Sequence, residues 1–293
     1  MPTLLRLRGG TRRYASAQAA RDHIEQRALR PQPYGPPPRL RSDVALAVAR
    51  RSGWPIYTIT PKTDAPERTV VYLHGGAWVN EIVAQHWQLA AQLAAEARVR
   101  VIVPIYPLVP FATAAEVVPV IIEMVADMLA ENLAAGHSVC LAGDSAGGQL
   151  ALSAAVMLRD EQGVVLPRTV LISPVVDVSL NNPQIHAVEP TDPWLSREGL
   201  LVFAQRWRGE LAPTDPRVSP LAADLTGLGP LTVFSGTRDI LNPDARALTE
   251  KATAAGVDVD YHERHGLLHV YPLTPTPEGR AARAVIVEQL AAQ

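Results

Sequence analysis

The chain has 293 residues, 47% of them hydrophobic, and a formal net charge of −2. This length and composition allow a sizeable core, so we expect one large α/β domain, alone or with a modest appendage. The small net charge excludes an overall field that would recruit nucleic acid. The only cysteine, Cys140, excludes an internal disulfide and a cysteine metal site, and this cysteine usage predicts a cytoplasmic location.

The first 41 residues are strongly basic, with nine arginines against Asp22 and Glu25 as the only acids. Such an arm could contact anionic lipid or a partner, although a solvated terminus is the simpler interpretation; its composition also resembles a transit peptide. Residues 31–38, PQPYGPPP, predict an extended linker. The longest apolar passage, residues 101–115, contains three prolines, so no integral membrane segment is predicted.

Short β-branched runs then alternate with Ala-rich helical segments. The predicted strands are Trp54–Thr60, Thr69–Leu73, Val99–Val103, Ser138–Ala142, Arg168–Ile172, Leu231–Phe234 and Val257–His262. The predicted helices are Pro119–Ala135, Ala146–Asp160, Ser196–Arg208, Ala245–Ala255 and Gly279–Ala292. This alternation is typical of the α/β class, with a mostly parallel sheet covered by helices on both faces.

Residues 180–215 interrupt the alternation with four prolines and a single predicted helix, which has a plausible N-cap at Ser196. The segment is interpreted either as an insertion that lies above the sheet or as a plain surface excursion.

The stretch LAGDSAGGQL, residues 141–150, places Ser145 between Gly143 and Gly147. A strand that enters a helix with almost no loop must turn sharply, which forces the residue at the apex toward positive φ and leaves little room for side chains two positions away. The hydroxyl then stands at the carboxyl end of the strand, next to the positive end of the helix. The context predicts a nucleophile, and a tight structural turn is the alternative.

A serine nucleophile needs a base, an orienting acid and N–H donors for the oxyanion. A predicted strand leads into HGGAW, residues 74–78, whose consecutive glycines can turn their N–H groups toward a ligand. Gly75 and Gly76 are therefore candidate donors together with Ala146. An ordinary glycine turn is the alternative, and His74 is expected to brace the loop.

Two aspartates compete for the role of the acid. Asp239, in SGTRDIL, lies beyond the carboxyl end of a predicted strand. Asp177, in SPVVDVS, follows the strand that comes after the helix of the serine. A third, Asp244, could instead cap the helix that begins near it.

Three histidines occur in HERHGLLH, at positions 262, 265 and 269. A metal cluster of His262, His265 and His269, and hence a metal-dependent hydrolase, is one interpretation. His262 ends a predicted strand, whereas a glycine turn leaves His269 in the loop beyond it. The order Ser145, Asp239, His269 is the nucleophile, acid and base order of α/β-hydrolases.

Together, HGGAW, GDSAGG, GTRDIL and GLLH resemble the motifs of the hormone-sensitive-lipase-like group of α/β-hydrolases, whose bacterial members are carboxylesterases. The resemblance extends from about Trp54 to the C-terminus. It implies the α/β-hydrolase fold, with a mostly parallel central sheet, helices on both faces and a small helical cap. The roles that it implies are Ser145 as nucleophile, His269 as base, Asp239 as acid, and Gly75, Gly76 and Ala146 as oxyanion donors.

The resemblance also implies a domain division. Residues 1–50 would form an N-terminal arm with a contribution to the cap, residues 180–215 the cap insertion, and residues 51–179 and 216–293 the hydrolase core. The segment SPVVD is similar to a family segment that does not carry the acid, which counts against Asp177.

The sequence departs from the family pattern in two places. Ala77 replaces the third glycine of the H-G-G-G loop, where a positive φ would now be disfavoured, so we expect the oxyanion hole to depend on Gly75 and Gly76. The segment around Tyr106 is similar to the Y-R-L-A-P-E segment of the family, but Pro107 and Phe111 stand in place of its charged residues.

Four aromatic residues in or near loops and the cap are predicted to line an apolar, partly enclosed pocket, although core packing would explain each of them equally well. They are Trp78, Trp194, Phe203 and Trp207.

The sequence thus predicts a serine carboxylesterase that hydrolyses small to medium acyl esters through an acyl-enzyme. A lactone hydrolase or a hydrolase of acetylated natural products would use the same triad, and a non-catalytic ligand-binding receptor on the same scaffold is the alternative of another class. No metal or organic cofactor is implied. The expected partner is a small-molecule ester, and a homodimer is compatible with the sequence.

Overall fold

The structure is a computed structural model that describes residues 12–63, 65–134 and 136–291. The first 11 residues of the basic arm lie outside the described residues, as do Ala135 and Ala292, the last residues of two predicted helices. Within the described ranges, no helix combines the length and apolar character needed to cross a membrane.

Within the described residues, eight strands form one continuous sheet. They are Val44–Arg51 (β1), Trp54–Pro61 (β2), Arg68–Leu73 (β3), Arg100–Pro104 (β4), Ser138–Asp144 (β5), Thr169–Ile172 (β6), Leu231–Gly236 (β7) and Val259–Arg264 (β8). The spatial order is β1-β2-β4-β3-β5-β6-β7-β8. Strand β2 runs antiparallel to both neighbours, and every other neighbouring pair is parallel. The predicted α/β class and mostly parallel sheet are confirmed.

Helices cover both faces of the sheet. The α-helices of the described residues are Ala17–Leu29 (α1), Ala84–Glu96 (α2), Ala114–Ala134 (α3), Ala146–Gln162 (α4), Ile185–Val188 (α5), Arg197–Arg208 (α6), Asn242–Ala254 (α7) and Pro277–Leu290 (α8). Side chains of β3 alternate between two cores. Val71 and Leu73 pack with α3, α4 and α7, whereas Val70 and Tyr72 pack with α2 and α8.

Strand β1 was not predicted from the sequence. Residues 44–50, which were assigned to the N-terminal arm, pair with β2 at the edge of the sheet. Leu46 and Val48 of this strand are 43% and 58% exposed, so its apolar residues do not mark a buried face. Most side chains of β1 are exposed on both faces, so its sequence lacks the alternation of apolar and polar residues that identifies a half-buried strand.

Helices α1 and α2 were also missed, and α3 begins at Ala114, ahead of its predicted start at Pro119. The early start has a local cause, because the backbone N–H of Thr113 donates to Glu116 Oε2 at 2.8 Å. This is half of a capping box, which marks the start of the helix at Ala114, five residues before Pro119. Helix α1 likewise begins after Ser16, whose Oγ accepts the N–H of Ala19 at 3.1 Å.

The N-terminal segment packs against the helix of the 180–215 insertion. The rings of Tyr14 and Phe203 meet edge to face with centroids 5.6 Å apart. A Cβ on Gly199 would lie 2.4 Å from the carbonyl oxygen of Tyr14, so only glycine permits this approach. The two segments are distant in sequence and form one packed unit above the carboxyl ends of the parallel strands.

Candidate active site

Ser145 lies at a strained turn between β5 and α4, with φ 53° and ψ −118°. The flanking glycines are required by close contacts. A Cβ on Gly143 would lie 2.3 Å from the carbonyl oxygen of Gly147, and a Cβ on Gly147 would lie 2.0 Å from that of Leu73. Such backbone strain in a non-glycine residue costs about 1–3 kcal/mol and is characteristic of functional sites.

The structure brings Ser145, His269 and Asp239 together. His269 Nε2 lies 3.0 Å from Ser145 Oγ, and His269 Nδ1 lies 2.8 Å from Asp239 Oδ2. Because a carboxylate oxygen only accepts, His269 carries its proton on Nδ1 and offers the lone pair of Nε2 to the hydroxyl. The hydroxyl, the imidazole and the carboxylate therefore form one hydrogen-bonded chain, oriented for removal of the serine proton.

His269 and Asp239 are buried, at 4% and 0% exposure. Burial by itself lowers the pKa of His269, but the charge and hydrogen bond of Asp239 outweigh it, with help from Asp192 and Asp144, so the pKa stands above the ordinary histidine value. An imidazole of raised pKa is a stronger base toward the serine proton.

Hydrogen bonds within and between loops fix Asp239 and His269. Asp239 Oδ1 accepts the N–H of Leu241 at 3.0 Å, which leaves Oδ2 facing the imidazole. Thr237 Oγ1 accepts the N–H of Gly266 at 2.9 Å, and Ser173 Oγ accepts the N–H of Val270 at 3.0 Å. The loops after β6, β7 and β8 are thus joined on both sides of His269.

The rival residues lie elsewhere. Asp177 Oδ1 accepts the N–H of Ser179 at 2.8 Å in a local turn, and Asp244 lies in the first turn of α7. The ring of His262 faces Asp260 Oδ2 at 2.8 Å and stacks on Phe234. Across the part of the chain that the structure describes, no three His, Cys, Asp or Glu side chains are grouped so that they could hold a metal ion.

The predicted oxyanion donors need one correction. The N–H of Gly75 donates to Asp144 Oδ1 at 2.9 Å and is not free for an oxyanion. Ala77 adopts φ 54° despite its Cβ, so the loop takes a positive φ at this position without a glycine. Among the described residues, no acceptor meets the N–H of Gly76, Ala77 or Ala146. After β3 in the described part of the chain, Gly76 and Ala77 therefore keep free N–H groups, whereas the prediction named Gly75 and Gly76.

Asp144 organises this edge of the sheet, and sequence reasoning missed it. Its Oδ1 accepts the hydroxyl of Tyr72 at 2.6 Å as well as the N–H of Gly75, and its Oδ2 lies 3.2 Å from His86 Nε2. The N–H of Val83 donates to His86 Nδ1 at 3.1 Å, so His86 carries its proton on Nε2 and donates to the carboxylate. Burial raises the pKa of Asp144, but these donors outweigh burial and lower it.

His74 braces the loop, as expected. Its Nδ1 lies 2.7 Å from the carbonyl oxygen of Gly75 and therefore donates to it, and its ring stacks on Tyr106 with centroids 4.6 Å apart. Burial, with the nearby His86, lowers the pKa of His74 to about 4. His74 is therefore neutral, and a ring nitrogen whose proton is already donated to the loop is no base for Ser145.

Three of the four predicted pocket aromatics lie in the core. Trp78 and Trp207 are fully buried and stacked, with centroids 5.9 Å apart, and both donate their indole N–H to Gln149 Oε1 at 3.0 Å. Phe203 is fully buried against Tyr14. Core packing thus accounts for Trp78, Phe203 and Trp207.

Trp194 is the predicted pocket residue that reaches the site. Its ring stands edge-on to that of His269, with centroids 5.6 Å apart. Asp192 Oδ1 accepts the backbone N–H of Trp194 at 2.8 Å and that of Leu195 at 2.9 Å, which fixes the segment. Trp194 therefore covers one side of the imidazole and limits its access to water.

Comparisons with known proteins agree with this geometry. Residues 70–273 match the model of a family described as having the alpha/beta hydrolase fold. The chain is 34% identical over 258 residues to a triacylglycerol lipase of Mycobacterium tuberculosis. The matched region covers 87% of this chain and 54% of the lipase. The chain is 36% identical over 225 residues to an acetyl-hydrolase of Streptomyces hygroscopicus, which covers 73% and 72% of the two chains. The match thus spans about half the length of the lipase.

A solved structure gives the same result. The chain superimposes on an esterase from the bacterial hormone-sensitive lipase family with a TM-score of 0.79 and 31% identity, covering 99% of this chain and 97% of the other. The resemblance drawn from the four motifs is confirmed. The chain belongs to the α/β-hydrolase fold family, in the hormone-sensitive-lipase-like group of carboxylic ester hydrolases.

Proposed function

We propose that this protein is a serine carboxylesterase that hydrolyses small to medium acyl esters through an acyl-enzyme. The observation that carries the proposal is the hydrogen-bonded chain from Ser145 through His269 to Asp239, with contacts of 3.0 and 2.8 Å. No other histidine among the described residues contacts both a serine hydroxyl and a carboxylate.

The proposed reaction uses these groups in order. His269 Nε2 takes the proton of Ser145 as Oγ attacks the ester carbonyl carbon, and the resulting imidazolium is stabilised by Asp239. Collapse of the tetrahedral intermediate breaks the bond to the alcohol, which receives the proton from His269. A water molecule then gives its proton to His269 and attacks the acyl-enzyme, and the acid leaves as Ser145 recovers its proton.

The proposed oxyanion donors are the backbone N–H groups of Gly76, Ala77 and Ala146, in place of the set that included Gly75. Two observations support this choice: the N–H of Gly75 is already bound to Asp144, and that of Ala146 opens helix α4, where no carbonyl of the helix can accept it. The positive end of the helix adds to the stabilisation of negative charge. Loss of one such donor typically costs about 3 kcal/mol in the barrier.

For the substrate, we propose an ester with a short or medium acyl group. Trp194 supplies an apolar wall beside His269, which suits a small apolar substituent. The similarity to a protein named acetyl-hydrolase favours acetyl esters within this class. Lactones would undergo the same attack and belong in the same substrate screen.

Replacement of Ser145 tests the reaction. We expect Ser145→Ala to lower kcat on p-nitrophenyl esters by a factor of at least about 10³. Ser138→Ala, at the opposite end of the same strand, should retain wild-type turnover. Turnover by Ser145→Ala near the wild-type rate would refute the mechanism.

Two further experiments address the other hypotheses. A fluorophosphonate probe should label wild-type protein at Ser145, whereas a ligand-binding receptor on the same scaffold would stay unlabelled. Activity that survives EDTA would count against a metal-dependent hydrolase built on His262, His265 and His269.

The remaining predictions complete the proposal. The core consists of residues 51–179 and 216–293, and the 180–215 insertion forms a cap together with residues 1–50, apart from the strand Val44–Arg51. A cytoplasmic location, a small-molecule ester as partner and no nucleic acid as partner are also proposed. Sedimentation of purified protein would decide between a monomer and a homodimer.

A further inference from the structure

The oxyanion loop carries conformational strain at two successive residues. Ala77 and Trp78 have φ of 54° and 57°, in the left-handed region that favours glycine. A loop of this shape persists only where its surroundings hold it, because each such residue costs on the order of 1 kcal/mol or more. The contacts that hold this loop are therefore informative.

The carbonyl of Gly76 is the point at which the loop is fixed. It accepts three N–H groups: the backbone N–H of Val79 at 3.2 Å, the backbone N–H of Asn80 at 2.9 Å, and Nδ2 of Asn80 at 2.8 Å. In a planar trans peptide, the carbonyl and the N–H of the next residue point in opposite directions. Donors that hold the oxygen of Gly76 therefore also set the direction of the N–H of Ala77.

Asn80 is in turn held from the N-terminal segment. Arg13 Nη1 donates to Asn80 Oδ1 at 3.1 Å, and His23 Nε2 lies 2.7 Å from the same oxygen. Because Gly76 offers only an acceptor and Arg13 only donors, the amide can have one orientation, with Nδ2 toward the loop and Oδ1 toward the N-terminal segment. His23 then donates from Nε2, and Asn80 itself is 7% exposed.

The N-terminal residues that hold Asn80 are part of the unit that packs on the insertion. Arg13 directly precedes Tyr14, which contacts Phe203, and His23 of α1 also meets the Phe203 ring, with centroids 6.0 Å apart. One side chain therefore links this packed unit to the backbone of the oxyanion loop.

We infer that Asn80 is a positioning residue for ester hydrolysis, through which Arg13 and His23 hold the N–H of Ala77 toward the oxyanion. The inference deepens the proposed function and rests on it. Donation to Asn80 Oδ1 polarises the amide, so its donation to Gly76 and the donor strength of Ala77 N–H both increase along the chain of hydrogen bonds. The effect should appear in the transition state, where the oxyanion forms, and little in substrate binding.

The test replaces Asn80 and compares it with a matched control. Asn80→Asp keeps the acceptor for Arg13 and His23 but cannot donate to Gly76, and Asn80→Ala removes both contacts. The control is Asn132→Ala. Asn132 is a buried asparagine whose Nδ2 also donates to a carbonyl four residues earlier, that of Met128 at 2.7 Å, but at the far end of the sheet.

We expect both Asn80 variants to lose about tenfold or more in kcat on a p-nitrophenyl ester, with KM changed by less than about threefold. The affinity for a trifluoromethyl ketone, which forms an oxyanion on Ser145, should fall by a similar factor. Asn132→Ala should keep wild-type kcat even where its melting temperature falls as far as that of Asn80→Ala. If Asn80→Asp keeps kcat within twofold of wild type, or if Asn132→Ala loses as much kcat, the inference is wrong.

Two further measurements distinguish failure of the inference from a failure of the variants to fold and from failure of the proposed function. Should the Asn80 variants fail to fold, Arg13→Met removes the outer donor to Asn80 Oδ1, together with the contact of the guanidinium with the Tyr14 ring, and leaves Asn80 and its bond to Gly76 in place. It should lower kcat about two- to fivefold at unchanged KM; unchanged kcat in that variant overturns the inference. If wild-type protein neither hydrolyses esters nor takes the fluorophosphonate label, the proposed function itself fails, and the inference fails with it. An active wild type with unaffected Asn80 variants refutes the inference alone.

Discussion

Asp192 in the insertion accepts a hydrogen bond from the backbone N–H of Ile240, the residue after Asp239, through Oδ2 at 3.0 Å. The other oxygen of the same carboxylate holds the backbone of Trp194, whose ring lies against His269. One partly buried side chain therefore connects the insertion, the loop that carries Asp239 and the ring that lies against His269. Burial, followed by the charge of Asp239, raises the pKa of Asp192 to about 6.

We predict that Asp192→Asn moves the acidic limb of the pH profile of kcat/KM to lower pH. The variant removes a negative charge that helps to raise the pKa of His269. It also places an amide N–H where Ile240 or Trp194 needs an acceptor, so kcat at the optimum should fall by up to about tenfold. The measurement is the pH profile of kcat/KM for Asp192→Asn and for wild type.

The control for this prediction is Asp177→Asn. Asp177 also accepts a backbone N–H two residues ahead in a turn, at 2.8 Å, but it does not touch the acid loop. Its profile should superimpose on that of wild type. An unshifted limb in Asp192→Asn would mean that Asp192 acts only as a local turn residue.

We also predict how kcat/KM of the wild-type protein changes with pH. Burial lowers the pKa of His269, and Asp239 more than compensates, so the folded value lies above the ordinary one. The base must be neutral to accept the serine proton, so kcat/KM should fall as pH decreases through a midpoint above about 6.5. A midpoint below about 6 would contradict this. Asp239→Asn, which removes the compensating charge, should move the midpoint down and lower kcat.

We predict that Asp144→Asn costs about 3 kcal/mol in the free energy of unfolding, because three donors, from Tyr72, Gly75 and His86, converge on its carboxylate. An amide can accept on one side only and would place its own N–H against one of these donors. Urea unfolding at pH 7 measures the loss. A loss below about 1 kcal/mol would show that the carboxylate charge is dispensable.

The same carboxylate sets a pH dependence of stability. Its folded pKa is lowered, so its contribution is present above the unfolded value near 4 and is lost as pH falls through the folded value. Wild-type protein should lose stability faster than Asp144→Asn as pH is lowered below about 4. Asp160→Asn, an exposed aspartate at the end of α4, serves as the control and should change stability by about 0.5 kcal/mol or less.

The elements that the sequence predicted well are those with local causes. The turn at Ser145 follows from two glycines within two residues of it, and Gly143 and Gly147 do meet backbone atoms closer than any side chain allows. The interior strands β3 and β5 carry side chains buried on both faces, which appear as continuous apolar runs. Such features need no knowledge of partners distant in the chain.

The parts that were missed depend on distant partners. The N–H of Gly75 looked free because its acceptor, Asp144, lies 69 residues away in sequence. Trp78 and Trp207 were predicted to line the pocket, but both donate their indole N–H to Gln149, a partner that the sequence did not indicate. No periodicity or spacing reports these pairings, since each is created only when β3, α4 and α6 assemble.

The two indoles that share Gln149 Oε1 have a consequence for how substrate enters. Trp78 belongs to the loop after β3, Trp207 to helix α6, and Gln149 to helix α4. Swinging α6 outward like a lid would leave a buried N–H without its acceptor, at about 1–3 kcal/mol, and would expose a stacked aromatic pair to water. These contacts oppose an outward movement of α6, so we expect the helix to stay in place during turnover. Activity on esters should then follow their dissolved concentration and show no additional increase when micelles form.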